Sequence, residues 1–286
     1  FMVFAVPLVP QTSKIAQHRE RFAVTHTHFF LSLVDAPGSS IDLKQVRELF
    51  ITHHHFDHIG SLFACLGLNM MMHRHQPMNI YGPPGTSKIL DHLIAACDIP
   101  QATGFSVPGQ TLPHPRDFIN SRDIQPGEIL YIDDIRISCC ENTHYRPEDQ
   151  FGKQGPISLS YRFDAPDRSM VFTGDTGPCL ALEEFAKNAD LLVGELFDTE
   201  LVINRLRATN PDMSDHALLQ MRQHFDEHHL TPEDLGQLAS RAGVKKVVAV
   251  HIPFITKSAE EDAKYVSRIL AKFSGSVTIS EDLAAY

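Results

Sequence analysis

The stretch LFITHHHFDHIGSLF, from Leu49 to Phe63, contains four histidines and one aspartate within the six residues 53–58. The whole chain has 17 histidines in 286 residues, so this local density is far above its average. The apolar run Glu48–Thr52 (ELFIT) that precedes the cluster is typical of a buried strand. Because sites in α/β folds collect at the carboxyl ends of strands, we expect the cluster to be functional.

The spacing within the cluster is that expected of metal ligands. His53 and His55 can point the same way in an extended turn, while Asp57 and His58 begin the next helical segment and can face a second point. This geometry suits two adjacent cations, and imidazole and carboxylate groups are both suitable zinc ligands. The alternative is a histidine-rich surface turn without a metal.

Composition and length restrict the class of protein. The chain is 43% hydrophobic and 21% charged, which is ordinary for a globular protein, and it has no apolar run near the ~20 residues of a membrane span. We expect a single domain over residues 1–286 and a cytoplasmic location, with the periplasm as the alternative. The five cysteines are irregularly spaced and indicate reduced thiols, not a disulfide framework.

The net charge of the chain bears on the kind of molecule that it binds. Lys plus Arg number 25 and Asp plus Glu number 35, which gives a net charge of −10. Since nucleic-acid phosphates are met by basic surfaces, this balance argues against a nucleic-acid partner.

The rest of the chain alternates strand and helix patterns. Residues 78–82, 129–139 and 157–164 have strand character, and residues 87–97 place apolar side chains on one face of a helix. In the last third, strands at 169–175 and 189–195 flank a helical segment. There Thr231 and Gly243 bound a helix that leads into the strand KKVVAVH. This order predicts an α/β fold, an αββα sandwich with two mixed sheets flanked by helices.

The motif THHHFDHIG resembles the T-H-x-H-x-D-H-x-x-G signature of the metallo-β-lactamase superfamily. The resemblance implies the αββα fold and a dinuclear metal site, and it locates the remaining ligands in RISCCENTHYRP, MVFTGDTGP and KKVVAVHIP. They are His144, Asp175 and His251. The implied set is His53, His55 and His144 on one metal, Asp57, His58 and His251 on the other, and Asp175 between them. Two zinc ions are expected, with Mn²⁺ or Fe as alternatives, and the chemistry is hydrolysis by metal-bound hydroxide.

Three further segments resemble the branch that contains ribonuclease Z and arylsulfatase-like phosphodiesterases: IYGPPGT, FTGDTGPC and HLTPEDLGQLASRAGVKKVVAVHI. In that branch a histidine about twenty residues before the last ligand donates a proton to the leaving group. By position this residue is His229, with His228 as a competing candidate. Asp57 is expected to act both as a ligand and as a proton acceptor.

The chain departs from this branch in two places that matter for substrate choice. Bacterial-type ribonucleases Z carry a long arm between the third histidine motif and the bridging aspartate, whereas residues 145–174 leave room for two strands and a turn. Where relatives often have His-Glu, this chain has Gly194 and Glu195, and Glu195 is a candidate to support a ligand. His26 and His28 are expected to be strand residues and not ligands.

The leading hypothesis from the sequence is a dinuclear zinc hydrolase of small anionic esters, either phosphodiesters or aryl sulfates. Lactonase or β-lactamase activity, ribonuclease Z-type cleavage of tRNA 3′ ends, and a non-catalytic metal-binding module are the alternatives. The expected partner is a small-molecule ester, with neither nucleic acid nor membrane, and a homodimer is suggested by analogy.

Overall fold

The structure is a computed structural model that describes residues 3–7, 23–25, 43–105, 107–145, 155–253, 258–281 and 286. It contains two compact units: the N-terminal unit, Phe1–Gln125 with Glu281–Tyr286, and the C-terminal unit, Pro126–Ser280. Each unit has its own mixed β-sheet. His26 and His28 lie outside the described residues.

The N-terminal unit contains a five-stranded sheet in the order β2-β1-β3-β4-β5. Strand β1 is antiparallel to β2 and β3, whereas β3, β4 and β5 are parallel to one another. Short 3₁₀ turns occur at Leu43–Gln45 and Pro115–Asp117. The strands are β1 (Val3–Pro7), β2 (Ala23–Thr25), β3 (Val46–Ile51), β4 (Met78–Gly82) and β5 (Ile119–Asp123), and the helices are α1 (Phe56–Ile59), α2 (Leu62–Met71), α3 (Thr86–Ala96) and α4 (Asp98–Thr103).

The core of this unit forms between the parallel strands and helices α2 and α3. Five of the six residues of β3 are buried, as expected of a strand covered on both faces. Apolar side chains from α2 and α3 complete the cluster, which includes Leu49, Ile51, Leu66, Ile80 and Leu90. The predicted strand at 48–52 is therefore confirmed, and it leads straight into the histidine cluster.

A buried arginine ties the start of β3 to the segment that follows α2. The side chain of Arg74 is among the largest fully buried ones, and its guanidinium donates hydrogen bonds to four main-chain carbonyl oxygens and to one side-chain amide oxygen at 2.7–3.1 Å. The acceptors belong to Leu43, Val46, Gln76, Pro77 and Asn69. All of these bonds come from a charged donor, so the polar groups at this junction have strong hydrogen-bond partners despite their burial.

The C-terminal unit contains a seven-stranded sheet in the order β12-β11-β10-β9-β8-β7-β6. Strands β9 to β12 are parallel, and β6 to β9 are antiparallel. The strands are β6 (Ile129–Ile132), β7 (Ile135–Glu141), β8 (Leu159–Asp164), β9 (Ser169–Phe172), β10 (Leu191–Glu195), β11 (Lys246–Val250) and β12 (Ser276–Ile279), and the helices are α5 (Leu180–Phe185), α6 (Thr199–Thr209), α7 (Asp215–His228), α8 (Pro232–Ala242) and α9 (Ala259–Leu270).

The helices of this unit begin and end where their capping residues allow. Thr231 and Asp234 form the expected capping box at the start of α8, and Gly243 ends it with a left-handed φ of 65°. Helices α6 and α7 were not expected, although Asp198 and Ser214 cap them by accepting bonds from main-chain N–H groups. Among the described residues, no helix is long and apolar enough to cross a membrane.

Candidate metal centre

The predicted ligands of the N-terminal unit lie together after β3. The rings of His53 and His58 are fully buried, with centroids 3.9 Å apart, and the centroids of His53 and His55 are 4.9 Å apart. Asp57 is exposed, and its Oδ2 lies 3.5 Å from Nε2 of His58. Helix α1 begins at Phe56, so Asp57 and His58 start a helical turn as predicted.

Two hydrogen bonds orient the rings at the start of this loop. The hydroxyl of Thr52 lies 3.1 Å from Nδ1 of His53, and when Nδ1 donates to this hydroxyl, Nε2 is the nitrogen that can bind a metal. Nε2 of His54 lies 2.8 Å from the hydroxyl of Thr86, which itself donates to the carbonyl oxygen of Pro83. Since a hydroxyl has one proton, His54 must be the donor to Thr86. This bond anchors His54 to the first turn of α3 and engages its Nε2 there.

The predicted ligands of the C-terminal unit are grouped around Asp175. Oδ2 of Asp175 lies 4.0 Å from Nε2 of His144 and 3.7 Å from Nε2 of His251. Two donors bound to one tetrahedral zinc are about 3.4 Å apart, so these separations are close to those of ligands that share a metal. Asp175 therefore lies near both histidines, and its bridging role stays a prediction.

The topology explains why these three residues meet. Asp175 follows β9 and His251 follows β11, both in the parallel part of the sheet, and β7 before His144 runs in the same direction because it is two antiparallel steps from β9. The carboxyl ends of these strands share one edge. His251 adopts a left-handed φ of 55°, a conformation rare for a non-glycine residue and typical of functional sites.

Glu195, at the end of β10, connects the Asp175 turn to His229. Its Oε1 accepts a hydrogen bond from the main-chain N–H of Thr176 at 2.5 Å, and its Oε2 lies 2.8 Å from Nδ1 of His229. Burial raises the pKa of the fully buried Glu195 carboxyl, and Asp175 adds to this effect, while His229 opposes it. The candidate noted in the sequence therefore supports both His229 and the main chain next to Asp175.

His229 is held between an aromatic ring and a carboxylate. Its ring stacks on Phe197 with a centroid distance of 4.3 Å and an interplanar angle of 22°, and it meets the ring of His144 edge-on at 5.0 Å. One ligand-type atom each of His229, His144 and Asp175 lie within 4.8 Å of one another. Because Glu195 engages Nδ1, any proton that His229 transfers must use Nε2.

His228, the competing candidate, makes different contacts. Its Nδ1 lies 2.8 Å from the carbonyl oxygen of Thr143, and its own carbonyl oxygen lies 3.1 Å from Nδ1 of His144. Its ring lies 4.8 Å from that of His224, and it is His229 that groups with His144 and Asp175, so His229 is the better placed proton donor.

The turn after Asp175 approaches the end of α7 so closely that Gly177 has no room for a side chain. A Cβ atom there would lie 1.8 Å from the carbonyl oxygen of Glu227.

We expect Gly177→Ala to lower the free energy of unfolding by about 1–3 kcal/mol, because main chain must move to relieve the overlap. Urea denaturation measures this, and Gly67→Ala on α2, with nothing within 4 Å, is the control. Equal urea midpoints for the two variants would contradict the close packing.

The donor set of both units fits a zinc-type metal. Imidazole and carboxylate oxygen are the zinc ligands expected outside sulfur sites, and the groups in each unit lie at ligand-like separations. His144 donates through Nδ1 and His53 is engaged at Nδ1, which orients Nε2 of each toward metal binding. The assignment of all seven residues to one dinuclear centre remains a prediction.

Comparison with known proteins gives consistent results. The family described as "Beta-lactamase superfamily domain" matches residues 25–252. A ribonuclease Z from Mycolicibacterium paratuberculosis is 26% identical over 252 residues, which covers 87% of this chain and 81% of the relative. Among solved structures, the metallo-β-lactamase fold protein YhfI from Bacillus subtilis has a TM-score of 0.59 at 15% identity and covers 99% of this chain and 98% of its own. The short form of human tRNase Z has a TM-score of 0.57 at 15% identity. That match covers 100% of this chain and 98% of the tRNase Z chain.

These relatives correct one expectation. The net charge and the short 145–174 connection argued against nucleic acid, but the curated relatives are named as ribonucleases. The exclusion of a nucleic-acid partner is therefore wrong. Net charge is an average over the whole chain and does not describe the local field at a site, which decides whether phosphates bind.

Proposed function

Because the chain belongs to the metallo-β-lactamase superfamily, we propose that this metal-dependent hydrolase cleaves phosphodiester bonds in RNA, as its ribonuclease Z relatives are named for doing. Membership confirms the predicted α/β fold class with its two mixed sheets and the predicted hydrolase class. The Glu195–His229 pair next to Asp175 and His144 is the observation that carries hydrolysis with a protonated leaving group, and the relatives' names carry the choice of RNA.

The proposed metal ligands are the residues expected from the motif: His53, His55, Asp57 and His58 from the N-terminal unit, and His144, Asp175 and His251 from the C-terminal unit. Their order along the chain follows the superfamily signature, which supports their assignment to one dinuclear centre. When bound, two zinc ions supply the Lewis acidity and the activated water that phosphodiester hydrolysis requires. Mn²⁺ or Fe would serve the same ligand types.

His229 is proposed as the proton donor to the leaving oxygen. Its Nδ1 is bonded to the buried carboxylate of Glu195, an arrangement that stabilises the protonated ring and directs Nε2 toward the reaction. The stack on Phe197 fixes the plane of the ring. Asp57, exposed beside His58, is proposed to accept a proton from the attacking water in addition to its ligand role.

The second candidate is hydrolysis of a small anionic ester by the same residues, a phosphodiester or an aryl sulfate. The short connection of residues 145–174 favours it, since a small substrate needs no arm to grip it. Both candidates use the same ligands and the same acid, so they differ in substrate size and not in mechanism.

A cleavage assay on matched substrates tests the proposal. We expect the zinc-loaded protein to cut a 5′-labelled tRNA precursor once, at its 3′ trailer. Asp175→Asn should abolish cutting, because the bridging carboxylate is lost. Asp212→Asn, which changes an exposed aspartate between α6 and α7, is the matched control and should cut like the wild type.

The same preparation is assayed on bis-aryl phosphate, aryl sulfate, lactone and β-lactam substrates. Hydrolysis of a small ester with intact precursor RNA would favour the second candidate and reject RNA cleavage. Failure on every substrate, by protein that retains its zinc, would reject both and leave a binding module.

A further inference from the structure

Two hydrogen bonds cross between the end of α7 and the segment that carries the third histidine motif. Nδ1 of His228 lies 2.8 Å from the carbonyl oxygen of Thr143, and Nδ1 of His144 lies 3.1 Å from the carbonyl oxygen of His228. Carbonyl oxygens only accept, so both Nδ1 atoms carry the proton. We call this reciprocal pair of bonds the 143/228 clasp.

The clasp uses a main-chain group that a helix end otherwise leaves without an intrahelical partner. The carbonyl of His228 is at the last residue of the 14-residue helix α7, where orphan carbonyls carry the negative end of the helix dipole. An imidazole that donates Nδ1–H to such a carbonyl becomes a better ligand at Nε2. His144 donates its Nδ1–H to the carbonyl oxygen of His228 in this way.

The turn that bears the clasp is packed on all sides. His144 and His228 are 3% and 5% exposed, and the neighbouring carbonyl of Glu227 rests against Gly177. His229 follows directly, and its N–H bonds to the carbonyl oxygen of Phe225. A shift of residue 228 would therefore displace His144 and His229 together.

We propose that His228 is a positioning residue: by bonding to Thr143 it holds its own carbonyl against His144, which keeps His144 in the tautomer and orientation that bind a metal through Nε2. The inference rests on the proposed function, because it takes His144 as a ligand. His228 itself touches neither substrate nor metal in this proposal.

Two substitutions of similar size separate this role from simple packing. His228→Leu keeps bulk but cannot donate to Thr143, whereas the amide of His228→Asn can. We expect His228→Leu to weaken zinc binding by about 10–100-fold, as loss of a ligand's supporting bond does. His228→Asn should stay within about threefold of the wild type, because it retains a donor near the Nδ1 position.

The readout is zinc affinity from competition with a chromogenic chelator, with circular dichroism to show that each variant is folded. His216→Ala, an exposed histidine on the first turn of α7, should bind zinc like the wild type. Equal zinc affinity in the Leu and Asn variants would overturn the clasp, even if both were less stable. Weaker zinc binding in the Leu variant alone would support it.

The experiment also separates the clasp from the proposed function. If the Leu variant loses zinc affinity relative to wild type while neither cleaves RNA, the clasp stands and the RNA proposal fails. Wild-type protein that holds no zinc would overturn both.

Discussion

Replacement of His229 by alanine is expected to lower kcat for RNA cleavage by about 10²–10⁴-fold, the usual contribution of a general acid. The leaving oxygen would depart without a proton, because the Glu195–His229 pair is the proposed source. KM should change little, since the ring is proposed to act on the leaving group and not to bind the remote parts of the substrate. Single-turnover cleavage of the labelled precursor measures the chemical step.

The zinc content of His229→Ala decides between two roles that the geometry permits. His229 lies within ligand distance of His144 and Asp175, so it is also a candidate fourth donor to a metal. Removal of a proton donor leaves the zinc content unchanged, whereas removal of a metal ligand lowers it. Loss of zinc, or an unchanged kcat, would reject the acid role. His216→Ala, an exposed histidine on the first turn of α7, is the control.

Removal of the metal is expected to abolish hydrolysis and to lower the melting temperature. All proposed nucleophile activation depends on the seven ligands, so no residual cleavage is expected after dialysis against a chelator. A ligand at 1,000 times its Kd stabilises the native state by about 4 kcal/mol, so the loss should be visible in a thermal scan. Activity and melting temperature should return together when zinc is added.

Chelator that is already saturated with zinc is the control, because it contacts the protein without withdrawing metal. Full hydrolysis by protein shown to be free of metal would reject the mechanism. Restoration by Mn²⁺ or Fe²⁺ in place of zinc would change the identity of the metal and leave the ligand set in place.

The ligand candidates came from the family motif, and the strand pattern of the sequence agrees with it at four of them. His53, His144, Asp175 and His251 come directly after β3, β7, β9 and β11 or within a few residues of them. Apolar runs and the polar residues that interrupt them are visible without coordinates, and parallel strands bring their carboxyl ends to one edge. The positions of His144 and His251 near Asp175 agree with that reasoning.

Contacts between distant segments were not predictable. The bond from Glu195 to His229 spans 34 residues, and the clasp between Thr143 and His228 spans 85. Such pairs depend on where the end of α7 lies, and neither α6 nor α7 stood out in the sequence because their apolar faces are weak. Ser214, a good capping residue, was the available signal for the start of α7.

The buried guanidinium of Arg74 has a consequence for how the protein responds to acid. Arginine keeps its charge across the whole working range of pH. Its hydrogen bonds to the main-chain carbonyl oxygens at the start of β3 therefore do not depend on proton concentration. The support that Arg74 gives to the strand that carries the histidine cluster is therefore the same in mild acid as at neutral pH.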